Sequence, residues 1–349
     1  MRLHKDCAWY DVTVDTRLPA RAGAPAFGRA ERGREGAAEQ AWVALAEKAY
    51  AKLHGSYAAI GGGPLPDAMA DLTGGVTESV DLASPEGLAR VASGELWRTL
   101  QDCNARGHLI GCALHARGAR APAHGGGAAG ADAGGVRANH AYAVLDVQTL
   151  AHCGTRLLSV RNPWGADAGW AGEWSARSAV WVVHPTAAKQ LGFSRAADDA
   201  GGAGGADGAD AGAFWIAWED FVAAFNRVHL CRVFPPHWHS LVVRAEWAQH
   251  SCGGAPSEPT WFLNPQFRLL APHAATAACL TISQADPRLP GRSNGSNGRS
   301  SARLVGLSLF AAPHGEFPAR VWRPADAELV AEAPAQEARD VSLFCRPLP

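Results

Sequence analysis

Asn139-His140-Ala141-Tyr142-Ala143-Val144 and, after it, Arg156-Leu157-Leu158-Ser159-Val160-Arg161-Asn162-Pro163-Trp164-Gly165 decide how the rest of this chain is read. Leu145 to Thr155, which joins them, reads as strand and turn. Arg156 to Val160 alternates toward Asn162, so two adjacent strands would carry an imidazole and a carboxamide to the same edge of a sheet. Taken singly, each residue has an ordinary explanation. A histidine on a strand is more often a core residue with one backbone hydrogen bond, and asparagine is common in a turn ahead of a proline such as Pro163. Taken together, they suit a chemistry in which a histidine accepts a thiol proton and an asparagine side chain fixes the ring's tautomer.

Working outward, Trp9 to Asp15 alternates with period two and is stopped by Leu18-Pro19, which predicts a strand. Trp42, Leu45, Ala46, Ala49 and Leu53 recur at helical spacing, and Gly55 follows as a C-cap; such a helix should pack its tryptophan face. Asp67 and Asp71 fall between glycine-rich turns at Ile60 to Gly63 and Leu72 to Gly75. Ser84-Pro85-Glu86 is a helix start, and two short helices through Leu88 and Val91, then Leu96, Leu100 and Cys103, precede a buried strand at Leu109 to Leu114. Residues 116–138 and 196–213 are low-complexity tracts that read as loops, the second carrying Asp198, Asp199, Asp207 and Asp210. Trp218, Phe221, Val222, Phe225 and Val228 form a further helical stripe, closed by Pro235-Pro236. From there short apolar runs separated by turn residues suggest a β-sandwich: 241–243, 261–263, 266–270, 280–282, 304–310 and 341–344, with a loop at 293–302.

Composition bounds the function. The 349 residues are 47% hydrophobic, enough for two or three domains with real cores, and the net charge of −1 steers the chain toward neither nucleic acid nor anionic membrane. No apolar run reaches the ~18 residues of a membrane-spanning helix, and the first residues lack a signal-peptide h-region, so a cytoplasmic protein is expected. The eight cysteines are scattered without a CxxC pair, which predicts reduced, mostly buried thiols rather than a disulfide framework or zinc site. The 13 tryptophans concentrate between Trp164 and Trp261, and those at 170, 174, 181, 215 and 218 are best read as packing residues.

Several ordered segments resemble the calpain family of cysteine endopeptidases: Glu47 to Tyr57, Asp71 to Glu78, Asn139 to Val144, Arg161 to Gly165 with Gly172 to Ser175, Phe214 to Phe221, and Cys252-Gly253-Gly254 with Trp261 and Asn264 to Phe267. The resemblance runs collinearly from about Trp9 to Leu270. It implies an α+β fold, a papain-like two-lobed cysteine protease core with the first lobe incomplete, followed by an antiparallel β-sandwich. Residues 1–88 would be the remainder of the first lobe, 89–238 the second lobe, and 239–349 the calpain-type sandwich, in whole or in part. Cys-His-Asn proteolysis of a protein or peptide substrate is the implied activity, with His140 as general base, Asn162 as its orienting group and Trp164 as the aromatic beside the cleft. Phospholipid contact through the sandwich belongs to a second, non-catalytic reading. A non-catalytic pseudoprotease or partner-binding module is the alternative.

Two departures from the family pattern shape the expectations. The segment resembling the family's nucleophile region would precede the strand at Trp9 to Asp15, which leaves Cys7 as a poor stand-in, because strand alternation follows it at once and a thiolate needs a helix N-terminus or a cation to lower its pKa. Calcium is the second. Asp67 stands where the family has a carboxylate ligand, but Ala176 and Ala213 replace acids expected in the second lobe, so a calcium site there would be weak or lost. The acidic tract at 198–210 lacks the ligand spacing of an EF-hand.

Overall fold

The computed structural model describes residues 1–22, 24–28, 41–115, 134–164, 170–193, 212–270, 277–286, 288–289, 303–311 and 320–345. Gly165, most of the tracts at 116–138 and 196–213, and the loop at 293–302 lie outside them. The chain forms two compact units: Met1–Lys5 with Trp9–Val233 and Arg288–Arg292, and Asp6–Ala8 with Phe234–Pro287 and Ser293–Pro349. Among the described residues no helix is long and apolar enough to cross a membrane.

The chain opens with a hairpin of β1 (Arg2–Lys5) and β2 (Ala8–Asp11), then a two-residue ladder of β3 (Ala20–Arg21) and β4 (Ala24–Pro25). Asp6 and Cys7 make the hairpin turn with φ of 47° and 60°, the left-handed pair that suits the right-handed twist of the flanking strands. The strand expected over Trp9 to Asp15 therefore stops at Asp11, where reciprocal bonds between Val12 and Met1 at 2.8 and 2.9 Å close the ladder. Helix α1 (Trp42–His54) ends as its sequence predicts, on Gly55 at φ 97°. Its buried face is made of Ala44, Ala49 and Ala51, whereas Trp42 is 65% exposed; small residues bring the helix close to Leu3 and Val12, so the expected packing through Trp42 is not used. Helix α2 (Leu65–Thr73) fills the stretch between the two glycine-rich turns and runs into the second, starting after Pro64 and ending on Gly74 at φ 67°.

Helix α3 (Pro85–Ala92) starts where Ser84 accepts the Gly87 N–H at 3.0 Å, and α4 (Glu95–Ala105) follows with Leu96, Leu100 and Cys103 buried. Six strands then build one antiparallel sheet: β5 (Val76–Asp81), β6 (Leu109–Leu114), β7 (His140–Thr149), β8 (Arg156–Arg161), β9 (Ala213–Ala217) and β10 (Arg227–Arg232), in the order β5-β10-β6-β7-β8-β9. β5 is paired with β10 from Asp81–Arg227 to Val76–Arg232, so a boundary at residue 88 separates a strand from the sheet that holds it.

Because strand side chains alternate, one face of this sheet carries Ile110, Cys112, Tyr142, Val144, Leu158, Val160, Phe214, Ile216, Val228 and Leu230. They pack on Leu96, Trp97 and Leu100 of α4, and each fully buried aliphatic side chain contributes about 1.5–3 kcal/mol. The other face carries Leu157 into a cluster with Trp174, Trp181 and Ala187 from the segment holding α5 (Val180–Val183) and α6 (Pro185–Gln190). Helix α7 (Trp218–Ala224) closes the main core, with Trp218 against Trp97 at 5.3 Å. β7 holds one extra residue: Val144 pairs with Val160 but Asp146 with Ser159, leaving Leu145 as a bulge.

In the second unit β11 (Ala278–Ser283) pairs with β14 (Asp340–Cys345), and β12 (Leu304–Ala311) with β13 (Glu328–Glu337), all antiparallel. Both ladders contribute to one apolar cluster, with Val305, Ala333, Val341, Leu343 and Cys345 at its centre. These two ladders are what the described residues contain of the expected sandwich. The strands expected at 241–243 and 266–270 are absent from the described structure, and Trp261–Leu263 is a single 3₁₀ turn. Side chains satisfy the backbone there instead. Asn264 accepts from Gly253 N–H at 3.0 Å and donates to Gly254 O at 2.9 Å, while Gln266 exchanges two 2.9 Å bonds with the Val321 backbone. Gly253 has no alternative residue, since a Cβ would stand 2.3 Å from the Thr260 carbonyl oxygen.

Candidate active site

The register of β7 and β8 assembles the site. Ala143 pairs with Arg161, and continuing that antiparallel register sets Asn162 opposite Tyr142 and Trp164 opposite His140. Four alternate residues thus share one face at the rim of the sheet. His140 Nε2 lies 2.8 Å from Asn162 Oδ1, and the same oxygen accepts the Trp164 N–H at 3.0 Å. An atom that takes two N–H donors must be the amide oxygen, so Nε2 carries the proton and the neutral ring keeps its lone pair on Nδ1. No described residue hydrogen-bonds Nδ1.

Aromatic rings hold the imidazole from two sides. Tyr142 meets it edge-on at 4.9 Å, and Trp164 lies over it at 4.1 Å. Asn162 is 1% and His140 9% exposed, whereas Trp164 is 64% exposed and forms an open apolar shelf. Burial pushes the His140 pKa below its ordinary value of 6.5; the Asn162 bond opposes the shift and the Arg137 charge adds to it. Near neutral pH the ring is therefore an uncharged base.

The approach to His140 is fixed by backbone. Asn139 takes φ 55° and donates its N–H to Leu114 O at 2.6 Å, the Arg137 N–H is held by the Tyr142 hydroxyl at 2.8 Å, and Ala171 N–H reaches Gly134 O at 2.9 Å. Trp170 lies flat on Gly134 and Gly172, where a Cβ would come within 2.5 and 2.2 Å of its ring. Of these residues the sequence reading missed Tyr142 and Arg137. The alternation that singles out His140 also places Tyr142 on its face; nothing in the sequence signals Arg137.

The other predicted residues lie elsewhere. Cys7 sits in the β1–β2 turn and not in the first turn of a helix. All eight cysteines are described, none is in a disulfide, and none hydrogen-bonds His140. Burial pushes the thiols of Cys103, Cys112, Cys231 and Cys345 up, Cys112 furthest, which disfavours their thiolates. Asp67, in the first turn of α2, faces the Arg288 guanidinium at 3.1 Å, with both side chains largely shielded. A calcium ion needs six or more oxygens, so a carboxylate already facing a guanidinium does not fit that role.

The family model of the calpain family cysteine protease matches residues 1–232, and the chain belongs to that family. The mixed α/β unit and its antiparallel sheet are consistent with a papain-like core. Among relatives, the calpain-type cysteine protease DEK1 of Zea mays is 34% identical over 273 residues and the calpain-type cysteine protease ADL1 of Oryza sativa subsp. japonica 35% over 267, each alignment covering 75% of this chain and 11% of the relative. The calpain-1 catalytic subunit of Rattus norvegicus is 31% identical over 279 residues, 75% of this chain and 34% of its own length. The chain thus spans a minor part of the relatives it matches.

Proposed function

We propose that this chain supplies the general base and its orienting partner for peptide-bond hydrolysis by Cys-His-Asn chemistry. The observation that carries the reading is the 2.8 Å bond from His140 Nε2–H to Asn162 Oδ1, which leaves Nδ1 as the basic atom at the sheet's rim. Nδ1 takes the proton of a cysteine thiol. The thiolate then attacks the scissile carbonyl carbon, the C–N bond breaks, and Nδ1–H protonates the departing amine. Water, deprotonated by the same nitrogen, hydrolyses the thioester. Trp164 shields the Asn162–His140 bond from solvent, where a hydrogen bond is worth more than in water.

The nucleophile is assigned to a segment outside these residues, since none of the eight thiols here meets the imidazole and the buried ones resist ionisation. Calcium enters no step through Asp67. Eight scattered cysteines, none of them in a disulfide, support work in a reducing compartment such as the cytoplasm.

Reading the transcript upstream of Met1 for an in-frame Gln-Gly-x-x-Gly-Asp-Cys-Trp stretch, then assaying the encoded protein on a fluorogenic peptide, tests the proposal. The longer product should turn over, His140→Ala should abolish turnover, and the present chain alone should be silent. Turnover by the chain alone that disappears in Cys7→Ala would move the nucleophile to Cys7. A stop codon in place of the cysteine segment would overturn the catalytic reading in favour of a binding module.

A further inference from the structure

The rim carries a cation that the proposed hydrolysis does not use. Arg137 is exposed, and its guanidinium stands 5.8 Å from the centre of the Trp164 ring, the same ring that lies over His140. Its backbone is anchored on both sides, before it by Val136, which is 0% exposed, and its own bond to the Tyr142 hydroxyl, and after it by the Asn139 N–H on Leu114 O. Among the described residues no carboxylate pairs with it. Elsewhere in this unit half-buried arginines are neutralised, as Arg90 and Arg232 are by Glu78 at 2.7 Å each.

An anchored guanidinium stacked on an aromatic ring, with no counter-ion among the described residues, is a carboxylate-recognition element: planar, permanently charged, with paired N–H donors. Its place relative to the bond being cut follows from the proton path. His140 must deliver its Nδ1 proton to the departing amine, so the amine half of the substrate crosses the imidazole and the shelf beside it. Arg137 overhangs that shelf.

We propose that Arg137 determines specificity, binding the carboxylate of an aspartate or glutamate on the leaving-group side of the scissile bond while Trp164 carries that side chain's methylenes. The biological meaning rests on the proteolytic reading of His140; the binding does not require turnover.

The test uses the whole chain and three fluorescein-labelled peptides, identical and neutral except for Glu, Gln or Lys at one central position, titrated by fluorescence polarisation at low salt. The Glu peptide should bind roughly two- to fivefold tighter than the Gln peptide, as expected for one exposed ion pair, with the Lys peptide weakest. Arg137→Met, which keeps the stem on the ring and removes the charge, should erase the ranking. Arg137→Lys should restore part of it, and about 1 M salt should compress it. Equal affinities for the three peptides, a ranking that survives Arg137→Met, or no peptide binding would each overturn the inference. Failure of the proteolytic reading registers separately, as a longer product without His140-dependent turnover while the Arg137-dependent ranking persists.

Discussion

Replacing Asn162 with Ala removes a single oxygen that serves two donors, His140 Nε2–H at 2.8 Å and Trp164 N–H at 3.0 Å. The two losses are unequal. Trp164 is exposed, so its amide recovers a partner from water, whereas His140 is 9% exposed and its donor is stranded. A buried donor left unsatisfied costs about 1–3 kcal/mol, so the expected loss of unfolding free energy is about 2 kcal/mol. The imidazole also loses the acceptor that selects its tautomer. Asn162→Asp should separate these effects, because a carboxylate accepts from both donors and adds a charge that raises the His140 pKa. In the native chain that pKa lies below 6.5, so the ring stays neutral at pH 7 and the folded state loses stability only as pH falls below 6.5, when the unfolded chain takes up the proton first. The Asp variant should hold a charged ring at higher pH. Urea unfolding followed by tryptophan fluorescence measures the first effect, and ¹⁵N shifts of the ring nitrogens measure tautomer and charge. An Ala variant that unfolds at the same urea concentration and keeps a pure Nε2–H ring would refute the claim that this bond orients the base.

Other consequences are equally open to measurement. His229, 7% exposed and 2.9 Å from Ser79 Oγ, has its pKa lowered to about 4, first by burial and then by His115 and Arg227. Its refusal of a proton that the unfolded chain accepts near 6.5 should remove about 3 kcal/mol of stability between those two pH values, and His229→Gln should flatten the pH dependence of the urea midpoint; an unchanged slope counts against it. Gly87→Ala places a Cβ 1.9 Å from the Asp81 carbonyl oxygen, a backbone atom that cannot step aside, so a loss of about 3 kcal/mol should appear as a lower thermal midpoint. Ser84→Ala should cost about 1 kcal/mol by removing the α3 cap, read in the same assay. Calcium up to about 1 mM should leave the tryptophan emission of the chain unchanged, and a saturable response lost in Asp67→Asn would show that Arg288 yields to the ion.

Features set by local chemistry were legible in the sequence. An apolar run located β6, alternation β8 and the His140 stretch β7, Ser84 with Pro85 located a helix start, and Gly55 a helix end, because each depends on residues within one turn or one strand. What escaped depends on distant partners. Helix α2 is short and bracketed by Pro64 and Gly74, so its ends look like turns, and its Asp67 meets an arginine 221 positions away. β13 was hidden by its Ala, Glu and Pro334 composition; it is held by β12 and pairs with no other strand among the described residues, which leaves an edge where a proline is tolerated. The runs at 241–243 and 266–270 are apolar enough for strands, yet they pair with no described strand, and the contacts beside the second run are made by the Asn264 and Gln266 side chains to the backbones of Gly253, Gly254 and Val321. At the site, alternation and a motif located His140, Asn162 and Trp164, but the Arg137–Trp164 stack arises only when two strand ends meet.

The surplus residue at Leu145 is a phase slip. On one side of it His140, Tyr142 and Val144 are even-numbered and buried together; on the other the same core receives the odd-numbered Val147. Were the strand to take Leu145 into regular alternation instead of bulging it out, Val144 and Val147 would face opposite ways, and one half would have to turn over. If the half paired through Leu158 and Leu157 kept its footing, the imidazole would rotate out through the back of the sheet, with every residue of the rim still present and the base aimed at nothing.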